Sequence, residues 1–311
     1  MDARSPAITV FTPAYNRAHT LPRLYASLRA QTFHDFDWLI VDDGSNDDTA
    51  DLVARWASDS PFPIHYFCQP HMGKHVAVER ASRLATAPLV ATIDSDDEAL
   101  PNTLEFYNRE WEAIPLAQRE GFSGVSGLAM DDHGALIGTV YPSSPLDSDL
   151  NEIRYRWRVT GDKYGCFRRE VLGAFADLAA FDLPYISEGI VWARVARRYR
   201  HRFFNQFTTR VYIHAGAGNQ ITRQSPARNA PGMALLHRHR LNEDLDWLGS
   251  DPATFLRSAV HYARFSFLSG SGPLQQWAGL NGALARSLWL AAVGPGWLTS
   301  LRDRLRAARP T

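Results

Sequence analysis

Short apolar runs alternate along the early chain with stretches whose apolar residues recur every three or four positions. Ile8-Thr9-Val10-Phe11-Thr12, Trp38-Leu39-Ile40-Val41, Ile64-His65-Tyr66-Phe67-Cys68 and Val90-Ala91-Thr92-Ile93 are short and rich in β-branched and aromatic residues, so each predicts a strand. Between them, Thr20 to Gln31 places Leu21, Leu24, Tyr25 and Leu28 on one helical face, with Pro22 tolerable in the first turn. Asp48 to Ala57 does the same with Leu52, Val53 and Trp56 after an acidic start, and Lys74 to Ala85 predicts a third helix. Strict alternation of strand and helix implies an α/β fold with a doubly wound, mainly parallel sheet. In such sheets ligands bind beyond the carboxyl ends of the strands, near the switch in strand order.

Three polar clusters fall at that edge: Pro13-Ala14-Tyr15-Asn16-Arg17, Asp42-Asp43-Gly44-Ser45 and Asp94-Ser95-Asp96-Asp97. Carboxylates gathered at a buried strand end repel one another and lose solvation, which a divalent cation reverses. Mg²⁺ and Mn²⁺ take oxygen ligands, and Mg²⁺ commonly binds one or two carboxylates together with a substrate's phosphates. The expected ligand is therefore a nucleotide diphosphate held through a divalent cation (Mn²⁺ or Mg²⁺). The plainer alternative for Asp97 and Glu98 is a solvated acidic turn ahead of the helix that follows Pro101.

With Thr12-Pro13-Ala14-Tyr15-Asn16-Arg17, Val41-Asp42-Asp43-Gly44-Ser45, Asp47-Asp48-Thr49 and Ile93-Asp94-Ser95-Asp96-Asp97 in this order and spacing, the chain resembles family 2 glycosyltransferases of the GT-A fold. The resemblance implies a nucleotide-sugar donor, read as a UDP-sugar, a divalent metal, inversion at the anomeric carbon and a hydroxyl acceptor that is a saccharide, a lipid-linked sugar or a small molecule. It implies that Thr12, Pro13, Ala14, Tyr15, Arg17, Asp42 and Asp43 surround the nucleoside. Asp94 and Ser95 then approach the ribose or metal, and Asp96 is the principal metal ligand, with Asp97 close by. Aligned on Trp192-Ala193-Arg194, the family pattern puts the general base at Glu188 and Ser187 where an acidic neighbour is usual. A carboxylate there also suits the N-terminus of the Ile190–Ala196 helix, without any catalytic role.

Two lysines are candidates for the diphosphate: Lys74, after Gly73 at a helix start, and Lys163, in Gly161-Asp162-Lys163-Tyr164-Gly165. Ala77-Val78-Glu79 lacks the arginine that the family usually carries, a gap that Lys74 or Arg80 would fill. His71, His75 and His214 have no metal-ligand spacing and read as structural histidines. Two further classes compete: a non-catalytic nucleotide-sugar-binding protein, kept open by Ser187, and a sugar nucleotidylyltransferase, which would open on a glycine-rich phosphate loop that Thr12 to Arg17 lacks. No dinucleotide-binding fingerprint follows the first strand.

Past Asp97 the pattern predicts a helix over Pro101–Ile114, a hairpin from Val125 to Ile137 turning at Asp131-Asp132-His133-Gly134, and a loop over Pro142–Asp149 near the acceptor. Gln220 to Gly232, with Pro226 and Pro231, reads as a linker or lid. Helices follow over Met233–Leu248 and Pro252–Leu268, with a break at Gly270-Ser271-Gly272-Pro273. The expected organisation is a nucleotide-sugar-binding half over 1–98, an acceptor-binding half over 99–219, a linker or lid over 220–232 and a helical C-terminal appendage over 233–311.

In a chain of 311 residues, 45% hydrophobic, Lys plus Arg and Asp plus Glu balance at 33 each, so no global field favours nucleic acid. Cys68 and Cys166 make no disulfide framework, the start lacks a signal-like apolar region, and no run approaches the about 18 apolar residues of a membrane span, so a cytoplasmic protein is expected. The tail gathers Leu284, Leu288, Trp289, Ala292, Trp297 and Leu298, flanked by Arg286, Arg302, Arg304, Arg306 and Arg309, with Gly294-Pro295-Gly296 expected to break it. Packing of this segment or homodimer formation is favoured over peripheral contact with the inner face of a membrane.

Overall fold

The structure, a computed structural model, describes residues 5–175, 178, 181, 183, 185–212 and 227–307. β1 (Ile8–Ala14) and β2 (Phe36–Asp42) are buried along their whole length, which is why their sequences read as continuous apolar runs. With β3 (Ile64–Cys68) and β4 (Leu89–Thr92) they form a parallel set. Helices α1 (Leu21–Arg29), α2 (Thr49–Ala57) and α3 (Lys74–Leu84) connect these strands. β8 (Gly165–Arg168) then pairs antiparallel with both β4 and β6 (Phe122–Asp131). β6 pairs parallel with β9 (Arg200–Val211), and β5 (Glu98–Ala99) closes the far edge on β9. Among the described residues the order is β3-β2-β1-β4-β8-β6-β9-β5, with β7 (Leu146–Ser148) also on β9. This is the expected α/β class: a mixed, mostly parallel sheet flanked by helices, followed by C-terminal helices.

Register decides where the polar clusters go. Ala14 lies opposite Asp42 and Asp42 opposite Cys68, so the carboxyl ends of β1, β2 and β3 stand level, while β4 ends at Thr92, opposite Phe11. The Ile93 N–H donates to the Phe11 carbonyl at 3.0 Å and carries that alignment one residue further, to the threshold of Asp94. Beneath this rim Leu21, Leu24 and Leu28 of α1 join Trp38, Ile40, Val53 and Leu89 in the core. Tyr25 adds a stacked contact to Trp56 with ring centroids 4.5 Å apart.

Two local expectations are corrected. The Val125–Ile137 hairpin is reduced to a single bridge between Met130 and Leu136, because β8 and β9 take both edges of β6. The Pro142–Asp149 loop contains β7, and Asp149 caps α5 (Leu150–Tyr155) by accepting from the N–H groups of Asn151 and Glu152. α4 (Thr103–Glu112) lies within the predicted Pro101–Ile114 helix, and α6 (Arg169–Phe175) follows β8.

The chain divides into two compact units, Met1–Ala180 with Arg194–Ala215, and Phe181–Ala193 with Gly216–Thr311. The boundary runs through α7 (Gly189–Ala196). Of the expected linker or lid, 220–226 lies outside the described residues, and α8 (Ala230–Glu243) begins earlier than the Met233 start expected for that helix. With α9 (Pro252–Leu268), α10 (Pro273–Ala278) and α11 (Gly282–Ala307), α8 builds a separate core in which Leu241, Tyr262, Leu280, Ala285 and Trp289 meet. The Trp289 indole donates to Gln276 Oε1 at 2.9 Å, satisfying its one polar atom.

Gly294-Pro295-Gly296 does not break the tail, which is one helix with Pro295 inside it. A Cβ at Gly296 would come within 2.4 Å of Ala263 Cβ, so this glycine lets α11 press against α9, a role that the local sequence presents as a breaker.

Candidate functional site

Three loops leave the carboxyl ends of β1, β2 and β4 and are laced together. After β1 the backbone turns at Asn16, which is left-handed (φ 55°), the short polar side chain being among the few that tolerate it. The Asn16 N–H donates to Ser45 Oγ at 2.7 Å, and Asn16 Oδ1 accepts from the Asn46 N–H at 2.8 Å. The Arg17 N–H donates to Thr49 Oγ1 at 3.0 Å, which ties the β1 loop to the start of α2. Arg17 Nε reaches Ser95 Oγ at 3.1 Å, joining the third loop.

Asp42 and Asp43 are buried and already engaged by this protein. Asp42 accepts from the Ser45 N–H at 2.8 Å, from Ser45 Oγ at 2.7 Å and from the Tyr66 hydroxyl. Burial and the neighbouring Asp42 charge push the Tyr66 phenol far above its ordinary pKa. Asp43 gathers four donors: Gln69 Nε2 at 2.8 Å, the Met72 and Gly73 N–H groups at 2.9 and 2.8 Å, and His71 Nδ1 at 2.9 Å. Gly44, at φ 80°, makes the turn, where a Cβ would meet His71 N at 3.0 Å. Asp43 thus fixes the entry to α3 and delivers Lys74, the first residue of that helix, to Asp94 (Nζ to Oδ1, 2.8 Å).

The acidic loop is the electrostatic centre. Burial first, then Asp94, raise the Asp96 carboxyl above the ordinary carboxylate range, opposed by the Arg17 guanidinium 3.9 Å away. Arg23 donates to the Asp96 carbonyl while its guanidinium lies 3.5 Å from the Tyr212 ring centroid. Asp97 is pushed up to about 8 by burial and by Asp94. One of its oxygens accepts from the Tyr164 hydroxyl at 2.6 Å and the other from the Tyr212 N–H at 3.3 Å.

Among the described residues no three His, Cys, Asp or Glu side chains form a cage for an ion. Asp94 and Asp96 nevertheless suit a hard divalent cation of the kind that completes its shell with phosphate oxygens and water. Their crowding raises the cost of ionisation, and a cation relieves it. Asp97 accepts one hydrogen bond on each oxygen and anchors the loop behind them.

Other candidates land elsewhere. Thr12 is fully buried and accepts the Trp38 indole N–H at 3.0 Å, which ties β1 to β2. Pro13 and Ala14 are buried beside it, while half-buried Tyr15 stacks on His71 with centroids 4.2 Å apart. Lys163 donates its ammonium to the Ile137 and Thr139 carbonyls at 3.2 and 2.9 Å, and burial lowers its pKa. Arg80 Nη1 lies 3.4 Å from the Cys68 carbonyl. Glu188 is half-buried at the start of α7, in the second unit, with its carbonyl accepting from the Trp192 N–H. His214 lies outside the described residues. The residues that sequence reasoning passed over are Tyr66, Arg23, Tyr164 and Tyr212, each meeting the acidic loops from distant chain positions without a local motif.

Comparison with known proteins bears on this arrangement. The family described as glycosyl transferase family 2 matches residues 9–172. An uncharacterized glycosyltransferase of a Nostoc species is 35% identical over 276 residues, covering 85% of this chain and 83% of that protein. S. aureus TarS in complex with UDP-GlcNAc superposes with a TM-score of 0.60 at 19% identity, over 93% of this chain and 80% of that one. The mannosyltransferase PcManGT from Pyrobaculum calidifontis, in complex with GDP-Man and Mn²⁺, gives 0.54 at 17% identity, over 97% and 89%. The two structures are like this chain in fold.

Proposed function

The chain belongs to glycosyl transferase family 2, and on that premise we propose that it transfers a sugar with inversion from a UDP-sugar to a hydroxyl acceptor. The observation that carries this reading is the acidic loop after β4: Asp94 pairs with Lys74 at 2.8 Å, and Asp96 faces the Arg17 guanidinium at 3.9 Å. Expulsion of a nucleoside diphosphate builds negative charge on the leaving oxygen. A divalent cation held by Asp96 and Asp94, when bound, supplies Lewis-acid stabilisation of that charge. Lys74 and Arg17 are placed to exchange their carboxylate partners for phosphate oxygens when the donor arrives, since both are cations at its threshold. TarS and PcManGT were solved with UDP-GlcNAc and with GDP-Man and Mn²⁺, which supports a nucleotide-sugar donor and a metal here.

Glu188 is assigned as the base that takes the acceptor's hydroxyl proton, on the strength of its position ahead of Trp192-Ala193-Arg194. Free thiols at Cys68 and Cys166 suit the cytoplasm. Among the described residues no helix is long and apolar enough to cross a membrane.

A thermal-shift screen of UDP- and GDP-sugars with and without Mn²⁺, followed by assay of UDP release, tests the reading. A donor that stabilises the protein only with metal and is slowly hydrolysed supports it. Ser187 in the place of the usual acid favours a binding protein instead, and stabilisation without any UDP release would establish that alternative. No stabilisation by any nucleotide sugar would overturn both.

A further inference from the structure

α11 is apolar on two opposite faces. At about 100° per residue, Ala285, Trp289, Ala292 and Ser300 share one side, and all are buried in the helical unit. Leu290, Trp297, Leu298, Leu301 and Leu305 fall in an arc of about 100° on the other side. They are exposed at 57%, 51%, 59%, 40% and 61%. A surface helix ordinarily turns polar residues outward, so an outward stripe of four leucines and a tryptophan calls for a partner.

The flanks say which partner. Arg286 and Arg304 border the stripe on one side, Arg302 and Arg306 on the other, and the last two line a shallow groove with Leu298, Leu301 and Leu305. From Gly282 onward the chain carries five arginines against the single acid Asp303, whose carboxylate is held by Arg264 Nε at 2.6 Å. In a chain whose charges balance as a whole at 33 each, this positive strip is local. A second copy docked face to face would bring two rows of arginine together. An anionic surface with an apolar interior satisfies leucine, tryptophan and arginine at once, since tryptophan settles at the headgroup level and arginine extends to the phosphates.

We propose that the outward face of α11 docks the protein on a bilayer of anionic phospholipid. Leu298, Leu301 and Leu305 enter the acyl boundary, Trp297 lies at the interface, and Arg302 and Arg306 meet the headgroups.

The test is flotation of the full chain with phosphatidylglycerol–phosphatidylcholine vesicles and with phosphatidylcholine vesicles alone, at low and high salt. The expected result is co-flotation with the anionic vesicles, released by salt, and none with the neutral ones. Leu301→Gln with Leu305→Gln weakens partition by about tenfold or more, from the lost leucine burial. Arg302→Gln with Arg306→Gln weakens it on anionic vesicles and flattens the salt dependence. All four positions are exposed, and circular dichroism checks that the variants fold. In brominated anionic vesicles, tryptophan quenching falls in Trp297→Phe. Failure of the native chain to float, or flotation undiminished by the leucine substitutions, overturns the proposal. So does a native dimer, seen by light scattering, that the leucine substitutions dissociate, because the occupant is then a second copy.

Discussion

Asp96 carries a carboxyl made costly to ionise by its surroundings, and that cost is the handle for testing it. Asp96→Asn keeps the volume and removes the charge. UDP-sugar transfer is expected to fall by about 10³-fold or more, with UDP affinity losing its Mn²⁺ dependence. Retention of normal transfer by this variant at ordinary Mn²⁺ would remove Asp96 from the metal site. Glu188→Gln keeps shape but cannot accept a proton, so transfer should fall by about 10²–10⁴-fold while metal-dependent UDP binding stays intact. Loss of UDP binding in that variant would move Glu188 to the donor side. Asp43 carries four donors that set the start of α3. Lys74 is where it is because of that arrangement.

At the scale of elements, the parallel half was legible because buried strands cannot hide their composition. Ile64–Cys68 and Pro252–Leu268 coincide with β3 and α9, and β1, β2 and β4 differ from their predicted spans by one or two residues at an end. β5 and β7 were not legible, because strands of two and three residues carry no period and exist only where β9 offers an edge. The site divides in the same way. Asp42, Asp43, Asp94 and Asp96 announce themselves by following apolar runs, whereas Tyr164, just before β8, and Tyr212, just after β9, arrive at Asp97 with nothing local to mark them. The Gly294-Pro295-Gly296 misreading has one cause: a local signal for a break was a tertiary requirement for closeness. Gly296→Ala is therefore expected to cost about 1–3 kcal/mol by forcing α9 and α11 apart, measured as a loss of amide protection in both helices. Unchanged protection would mean that the contact yields without cost.

Over the whole molecule, each unit buries a histidine that cannot easily charge. Burial lowers His201 to about 3 in the first unit, and burial with the nearby Arg240 lowers His237 to about 2 in the second. Both folded values lie below the unfolded value of about 6.5. Stability is therefore complete above about pH 6.5 and declines as the pH falls toward the folded values, because the unfolded chain takes up protons first. Asp97, shifted upward, works in the opposite sense in the first unit, losing stability as pH rises from about 4 to about 8, so the second unit gives the cleaner reading. From pH 7 to pH 5, His237 should account for about 2 kcal/mol of lost protection in α8 and α9, and His237→Gln should remove that share. An identical pH dependence in the variant would mean that His237 titrates near its ordinary value.

The position of β9 in the chain sets the timetable on which the protein can be made. β5, β7 and one edge of β6 pair with a strand that begins only at Arg200, after the chain has passed through the second unit and returned. On the ribosome, the four parallel strands within residues 8–92 can close early, while the bare edge of β6 waits for the rest of the sheet to be translated. An unpaired edge is an invitation to neighbouring chains. Slow translation between β8 and β9 should therefore depress the yield of soluble enzyme while leaving the specific activity of each finished molecule untouched.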